Sequence, residues 1–376
     1  MEDVERIRSL FPVTWNRVFL NHAAQSPLPK PVAEAIGRYV DECSNFGATS
    51  KEWEDLGKLL FAKLVNAKVG EIALVENTSV GLNIAANVIQ APRGAKIVTT
   101  DLEYPSVTYP FLRKSLGFKV EYVKNINGAI LLEDIEKAVD DQTAAVAISQ
   151  VEYVNGFRHD LRAVSEIAHE HGAYLIVDAI QAAGAIPLDV KRDNVDFLAT
   201  ACYKWLLSPP GAGYFYVKEE LIERFEPPYS GWASADQEIF NTVDFWNIWD
   251  LQFSRTASRF EVGTPSVISF IGAREAIKLL LGFGIENIER RILELTDYLI
   301  DSLEDLGITL QTPTERQYRS GIVNFRIENP KMVAEKLNEK GIIVSARSNG
   351  IRVSPHFYNT EEEIDKLMAE IKRYKG

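Results

Sequence analysis

Short apolar runs alternate with amphipathic stretches along most of this chain, and the alternation is clearest between Glu71 and Val217. Runs of strand length occur at Glu71–Glu76, Lys96–Thr100, Lys119–Val123, Ala144–Gln150, Tyr174–Val177 and Asp196–Ala201. Between them, helical periodicity predicts helices from Asn77 to about Ile89, over Leu132–Val139 and over Leu161–His171. Strand and helix taking turns in this way call for a mostly parallel, doubly wound sheet with helices on both faces. Ahead of this region the pattern predicts a short strand at Val18–Leu20 and helices over Pro29–Cys43 and Lys51–Asn66. Behind it come helices at Ile268–Leu281 and Ile285–Leu306, a strand at Gly321–Arg326 and a final helix after Thr360. Thr360 and Glu363 have the spacing of a capping box.

With 376 residues, 46% of them hydrophobic, the chain can bury a sizeable core and is long enough for two domains. A net charge of −12 argues against an electrostatic grip on nucleic acid or on an acidic membrane. The charged start from Met1 to Leu10 and the lack of a membrane-length apolar run predict no membrane partner and a cytoplasmic location. Two cysteines, Cys43 and Cys202, make neither a disulfide framework nor a zinc motif, so no metal is expected.

Chemistry concentrates between Ala173 and Tyr216. The run Tyr174–Val177 ends on one acid, Asp178, with Gln181 three residues on; the next run ends in Cys202-Tyr203-Lys204, followed by a Pro- and Gly-rich turn. In an open α/β sheet the carboxyl ends of neighbouring strands open onto one crevice, so Asp178 and Lys204 can face the same ligand. A lysine amine and a separate carboxylate suit pyridoxal phosphate: the amine forms a Schiff base with its aldehyde, and the acid keeps the ring nitrogen protonated. Taken singly, each residue is also explained as an acid capped by backbone amides and a surface lysine.

Val177-Asp178-Ala179-Ile180-Gln181, followed by Lys204-Trp205-Leu206 and Pro209, Gly211 and Gly213, resembles the cofactor core of the class V aminotransferase and cysteine desulfurase family, of fold type I. The resemblance implies a large cofactor-binding domain over residues 15–258 with a mostly parallel seven-stranded sheet. It also implies a smaller C-terminal α/β domain over 259–376, joined by residues 1–14. Lys204 and Asp178 become the catalytic pair. The cofactor phosphate falls to Thr78 and Ser79 at a helix start, where capping is the alternative explanation. Tyr104 takes the place of the ring that stacks on the pyridine, often a histidine in the desulfurases, and Gln181 faces the phenolic oxygen. Near Lys204 the family pattern is Ser-x-His-Lys; this chain has Ala201-Cys202-Tyr203-Lys204, so Thr200 or Tyr203 must supply the donor that the serine would give.

On the substrate side the resemblance points to the segment with His22 and Ala24, although a turn histidine bonded to backbone explains His22 equally. It points also to Asn155, in place of an asparagine the desulfurases have where this chain has Tyr153. Arg352 matches the arginine that binds the substrate carboxylate, with Arg347 as the alternative. Ser258 to Pro265 is similar to the R-F-E-x-G-T-P motif, whose threonine, here Thr264, reaches the phosphate of a neighbouring subunit; this implies a homodimer with shared active sites. Between Arg347 and Arg352 stand only Ser348, Asn349, Gly350 and Ile351, so the nucleophilic cysteine of the desulfurases has no counterpart. The ending Arg352 to Thr360 resembles instead the isopenicillin N epimerase-like branch. The expected function is a pyridoxal-phosphate-dependent aminotransferase acting on an amino acid through a Lys204 Schiff base. A carbon-sulfur lyase or desulfurase-like enzyme, an epimerase and a noncatalytic cofactor-binding protein are the alternatives. The aromatic excursion Glu219–Asp250, with Trp232, Phe245, Trp246 and Trp249, reads either as a flap or as ordinary packing.

Overall fold

A computed structural model of the protein describes residues 2–47, 50–236 and 249–374. Seven strands form the main sheet: β2 (Ile72–Val75), β3 (Lys96–Thr100), β4 (Lys119–Val123), β5 (Thr143–Ser149), β6 (Tyr174–Asp178), β7 (Phe197–Ala201) and β8 (Gly213–Val217). Their order is β2-β8-β7-β6-β5-β3-β4, and only β8 runs against its neighbours. The run of β5 is apolar on both faces because both are covered. Val146 and Ile148 join one core with Leu161 and Val164 of the helix Leu161–Glu170, while Ala145 and Ala147 join another with Leu82 and Ala85 of the helix Thr78–Val88. The sheet is therefore doubly wound, as the alternation of runs predicts.

The predicted helix Lys51–Asn66 is split. Gly57 adopts φ +78°, so a short 3-10 turn, Lys51–Glu54, precedes a helix confined to Lys58–Leu64. Pro105–Leu112 is an additional helix that the pattern did not show, being rich in β-branched and aromatic residues with an internal proline.

A second group of strands lies toward the C-terminus. β1 (Val18–Phe19) pairs in parallel with β10 (Ile342–Ile343), and β9 (Val323–Arg326), β11 (Ser345–Arg347) and β12 (Gly350–Val353) make an antiparallel sheet in the order β11-β12-β9. One face of that sheet, with Phe325, Ile351 and Val353, packs with Leu20, Leu295, Leu299, Val333 and Ile364 in a core of its own. Apolar packing crosses residue 258 without a break: Phe270, Ala273 and Ile277 of the helix Val267–Phe283 share the large core with Phe61 and Leu198, and so do Ile288 and Ile292. No helix among the described residues is long and apolar enough to cross a membrane. Of the aromatic excursion, residues 237–248, with Phe245 and Trp246, lie outside the described residues.

Candidate active site

β2, β3, β5, β6 and β7 point the same way, so the residues just past their carboxyl ends gather along one edge of the sheet. Asp178 closes β6 and is 2% exposed; one carboxylate oxygen accepts the Ile180 amide at 2.9 Å. Burial pushes its carboxyl up to about 6, against the pull of the Lys204 charge.

Lys204 is presented by a turn. After β7 ends at Ala201, the Leu207 amide donates back to the Lys204 carbonyl at 3.0 Å, and Leu207 holds φ 59°, a conformation costly for a leucine. Trp205 pins this turn: its indole N–H donates to Gln181 Oε1 at 2.9 Å, and its carbonyl accepts from His356 Nε2 at 3.1 Å. The Lys204 amine is left largely desolvated, with no carboxylate paired to it among the described residues. Burial lowers its pKa to about 8; Asp178 raises it, and Arg352 and Arg347 lower it further. Its amine lies 5.9 Å from the ring centres of both Tyr104 and Tyr203. Tyr104 is 48% exposed and meets Tyr153 edge-on at 5.1 Å, so its face is open toward the crevice.

The helix Thr78–Val88 begins at this edge. Asn77 caps it by accepting the Val80 amide at 3.1 Å, so capping falls to Asn77 and not to the two hydroxyl residues behind it. The Thr78 hydroxyl accepts the Ala201 amide at 2.9 Å, tying the helix start to the end of β7 and leaving its own proton to donate. Ser79 shares a 2.7 Å hydrogen bond with Ser106, a residue that sequence reasoning did not single out.

Arg352 is 2% exposed and donates through Nη1 to the Tyr153 carbonyl at 2.7 Å; its Nε is buried without a partner among the described residues. Burial and the neighbouring Arg347 lower its pKa to about 9. An orphaned guanidinium N–H, a partnerless lysine and a hydroxyl-bearing helix start around one crevice fit a ligand with an anionic group, an aldehyde and a phosphate.

Several candidates are engaged elsewhere. His22 is fully buried, with Nδ1 2.8 Å from the Ser354 carbonyl and Nε2 2.7 Å from the Tyr358 hydroxyl. Both ring nitrogens are used, and they link the N-terminal segment to the C-terminal unit, which is the alternative to a substrate-side role. Asn155 is engaged likewise: its amide donates to the Gly128 carbonyl at 2.7 Å and its oxygen accepts the Phe157 amide at 3.1 Å, which ties loops together. Thr200 lies on the face of β7 with Leu198 and Cys202, opposite the Ala199 side that meets Gly81 of the phosphate-side helix. Its hydroxyl donates to the Ala201 carbonyl at 3.2 Å, which leaves Tyr203 as the nearby donor. Gln181 keeps one free amide N–H, the other going to the Ala23 carbonyl at 3.1 Å. Ala24 sits half-buried in the turn after Asn21, and this turn reaches Lys204 through the Ser26 amide, which donates to the Tyr203 carbonyl at 2.9 Å. Thr264 is exposed and makes no hydrogen bond to these residues among those described; Glu261 anchors its loop by accepting the Leu74 amide at 3.0 Å and pairing with Lys58.

Two acids, the half-buried Glu103 and the fully buried Glu152, escaped the sequence reading. Glu103 grips Ser149 through its amide and hydroxyl (2.5 and 2.6 Å), and Ser149 is the register partner of Asp178. Glu152 Oε1 accepts from Thr100 at 2.8 Å and lies 3.2 Å from His159 Nε2, while its Oε2 is buried without a hydrogen-bond partner among the described residues. Burial holds both carboxyls far above the ordinary range and holds His159 down to about 3, so the histidine is neutral. Their signal was present: like Asp178, both acids stand at or just past the carboxyl end of a parallel strand.

A lysine and an acid at adjacent strand ends of a mostly parallel sheet, with a phosphate-ready helix start beside them, define a pyridoxal phosphate enzyme of fold type I. The Aminotransferase class-V family matches residues 18–367. An uncharacterized aminotransferase of Bacillus subtilis (strain 168) is 32% identical over 98% of this chain and 97% of its own. A probable cysteine desulfurase of Pyrococcus abyssi is 31% identical over 97% and 96%. The solved apo structure of a cysteine desulfurase from Thermococcus onnurineus NA1 superposes with a TM-score of 0.89 at 28% identity, covering 98% of this chain and 97% of that one. This chain belongs to the class V aminotransferase family, and it is a pyridoxal-phosphate-dependent enzyme of amino acids.

Proposed function

We propose that this protein is an aminotransferase of class V type, working in the cytoplasm as a homodimer with shared active sites. The observation that carries the reading is the Lys204 amine, desolvated and unpaired at a strand end beside Asp178. When bound, pyridoxal phosphate supplies an aldehyde that condenses with amines and a ring that accepts the electron pair left by a broken Cα–H bond. Thr78, Ser79 and Tyr203 would hold the phosphate, with Thr264 of the partner subunit completing the cradle. Tyr104 would stack on the ring, and an N–H of Gln181 would face the phenolic oxygen. Asp178 would hold the proton on the ring nitrogen. Arg352 grips the substrate carboxylate and so orients Cα toward Lys204, whose lowered pKa suits it to take the α proton near neutrality. Lys204 would then hold that proton: its release to the carbon of the cofactor aldehyde would give transamination, and its return to Cα epimerisation.

Elimination is the second reading, favoured by the likeness to cysteine desulfurases. An enzyme-thiol mechanism has little support: Ser348 and Asn349 form a tight hairpin turn, and Cys202 is fully buried, with its thiol pushed up by desolvation.

Borohydride treatment of the coloured protein should leave reduced cofactor on the peptide containing Lys204, and Lys204→Ala should lower turnover by about 10²–10⁴-fold. Label on another lysine overturns the assignment. A screen of amino acids with and without a keto acid acceptor separates the two readings, because elimination releases its product without an acceptor.

A further inference from the structure

The hairpin that carries Arg352 carries a second arginine on the same face. Ser345 and Arg347 alternate to one side of β11, and Ser345 pairs directly with Arg352 while Arg347 pairs with Gly350. Arg347 and Arg352 are thus diagonal cross-strand neighbours, about 7–8 Å apart at the backbone, within reach of one small molecule. The turn between them is two residues long, Ser348 and Asn349, at φ 46° and 60°, which fixes the pairing register. This polar face meets the segment after β5. The Arg352 Nη1 donates to the Tyr153 carbonyl at 2.7 Å, and the Asn324 amide, next to Arg352 on β9, donates to the Val154 carbonyl at 2.8 Å.

Neither guanidinium has a carboxylate partner among the described residues. Arg347 donates only to its neighbour, the Ala346 carbonyl, at 2.7 Å, and the buried Arg352 Nε has no partner. Two unneutralised cations at one mouth repel each other, and both are close enough to Lys204 and Tyr153 to be felt there. An α-carboxylate neutralises the buried Arg352. The exposed Arg347 beside it is then free to attract a second anion on the same ligand.

We propose that the Arg347–Arg352 pair makes this site selective for dicarboxylic substrates, an acidic amino acid or its keto acid, with Arg352 on the α-carboxylate and Arg347 on the distal one. This rests on the carboxylate-binding reading of Arg352 and adds the substrate class to it.

The test uses unreactive probes on the holoenzyme: titration calorimetry of succinate, glutarate and adipate against butyrate, valerate and hexanoate. At least one dicarboxylate should bind more tightly than its monocarboxylate by roughly tenfold, with the gap narrowing as salt is raised. Arg347→Gln should abolish that gap while leaving monocarboxylate binding within about twofold, and Arg347→Lys should restore part of it. Arg326→Gln, an exposed arginine on the same sheet face one strand further across, should change nothing. Arg352→Gln should weaken both series, with Arg352→Lys in hand should the buried change disturb folding. If the Arg352 variants leave both series untouched, the carboxylate reading itself falls. If they weaken both but Arg347→Gln preserves the dicarboxylate preference, or wild type has none, the substrate class alone falls.

Discussion

Glu152 shows how one side chain records its surroundings. It stands where a strand opens into the crevice, fully buried between Thr100, His159 and Glu103, with the Asp178 charge nearby. Its folded carboxyl keeps a proton that the unfolded chain releases in the ordinary carboxylate range. The folded state therefore binds more protons, and stability falls as pH rises from that range toward the raised folded value. Glu152→Gln removes this loss while keeping most of the hydrogen bonds. The melting free energy of the variant, relative to the parent, should rise between pH 5 and pH 8, by up to about 1.4 kcal/mol per pH unit. A difference that stays flat with pH would mean that Glu152 is ionised in the fold. Asp178 is the counterexample in the same neighbourhood: its strand ends on an acid with an adjacent amide donor, and its lift is smaller, to about 6.

At the scale of elements, each strand end contributes a side chain, and the turn behind it decides whether that side chain faces the crevice. The β7 exit presents Lys204 because Leu207 accepts a left-handed backbone and Gly211, at φ 99°, lets the chain re-enter as β8. The β11–β12 hairpin depends on Gly350 for a different reason. A Cβ there would collide with the Phe325 carbonyl, the Asn324 side-chain oxygen and the Gln311 amide. Gly350→Ala should destabilise the protein by about 1–3 kcal/mol in a urea melt. Monocarboxylate binding should weaken with it, since the same overlap displaces Arg352 in the next pair of the ladder. A variant with parental stability and binding would show that the hairpin has room to shift.

For the whole molecule, the open matter is the second subunit. Thr264 is exposed at the end of a loop that Glu261 and Lys58 hold down, and among the described residues it has no hydrogen bond to the candidate site of its own chain. Our reading sends it to the neighbouring site. A Thr264→Ala subunit should weaken cofactor binding in its partner by about one to two orders of magnitude, the range of a lost charge-assisted hydrogen bond. In a mixed dimer with Lys204→Ala, one site carries both defects and the other neither, so about half of the sites should retain near-parental affinity and activity. If no site in the mixed dimer behaves like the parent, Thr264 acts within its own chain.

By itself the sequence determined the sheet, through apolar runs of strand length, and it placed Asp178 and Lys204 at the ends of two such runs. The cofactor class and the candidate role of Arg352 came through the resemblance to a family, carried by those residues and by glycines at fixed offsets. The tertiary structure decided what each polar side chain does with its hydrogen bonds. His22 and Asn155 look available in sequence, yet Ser354, Tyr358, Gly128 and Phe157 occupy them. Thr200 is turned away by the strict alternation of a strand whose register is set by its neighbours. Glu103, Glu152 and His159 come together only because β3 and β5 lie side by side. A hydrogen bond is satisfied by whichever partner folding brings within 3 Å or so, and a partner outside the local run, as Gly128 is for Asn155 and Ser354 for His22, leaves no trace in a local pattern.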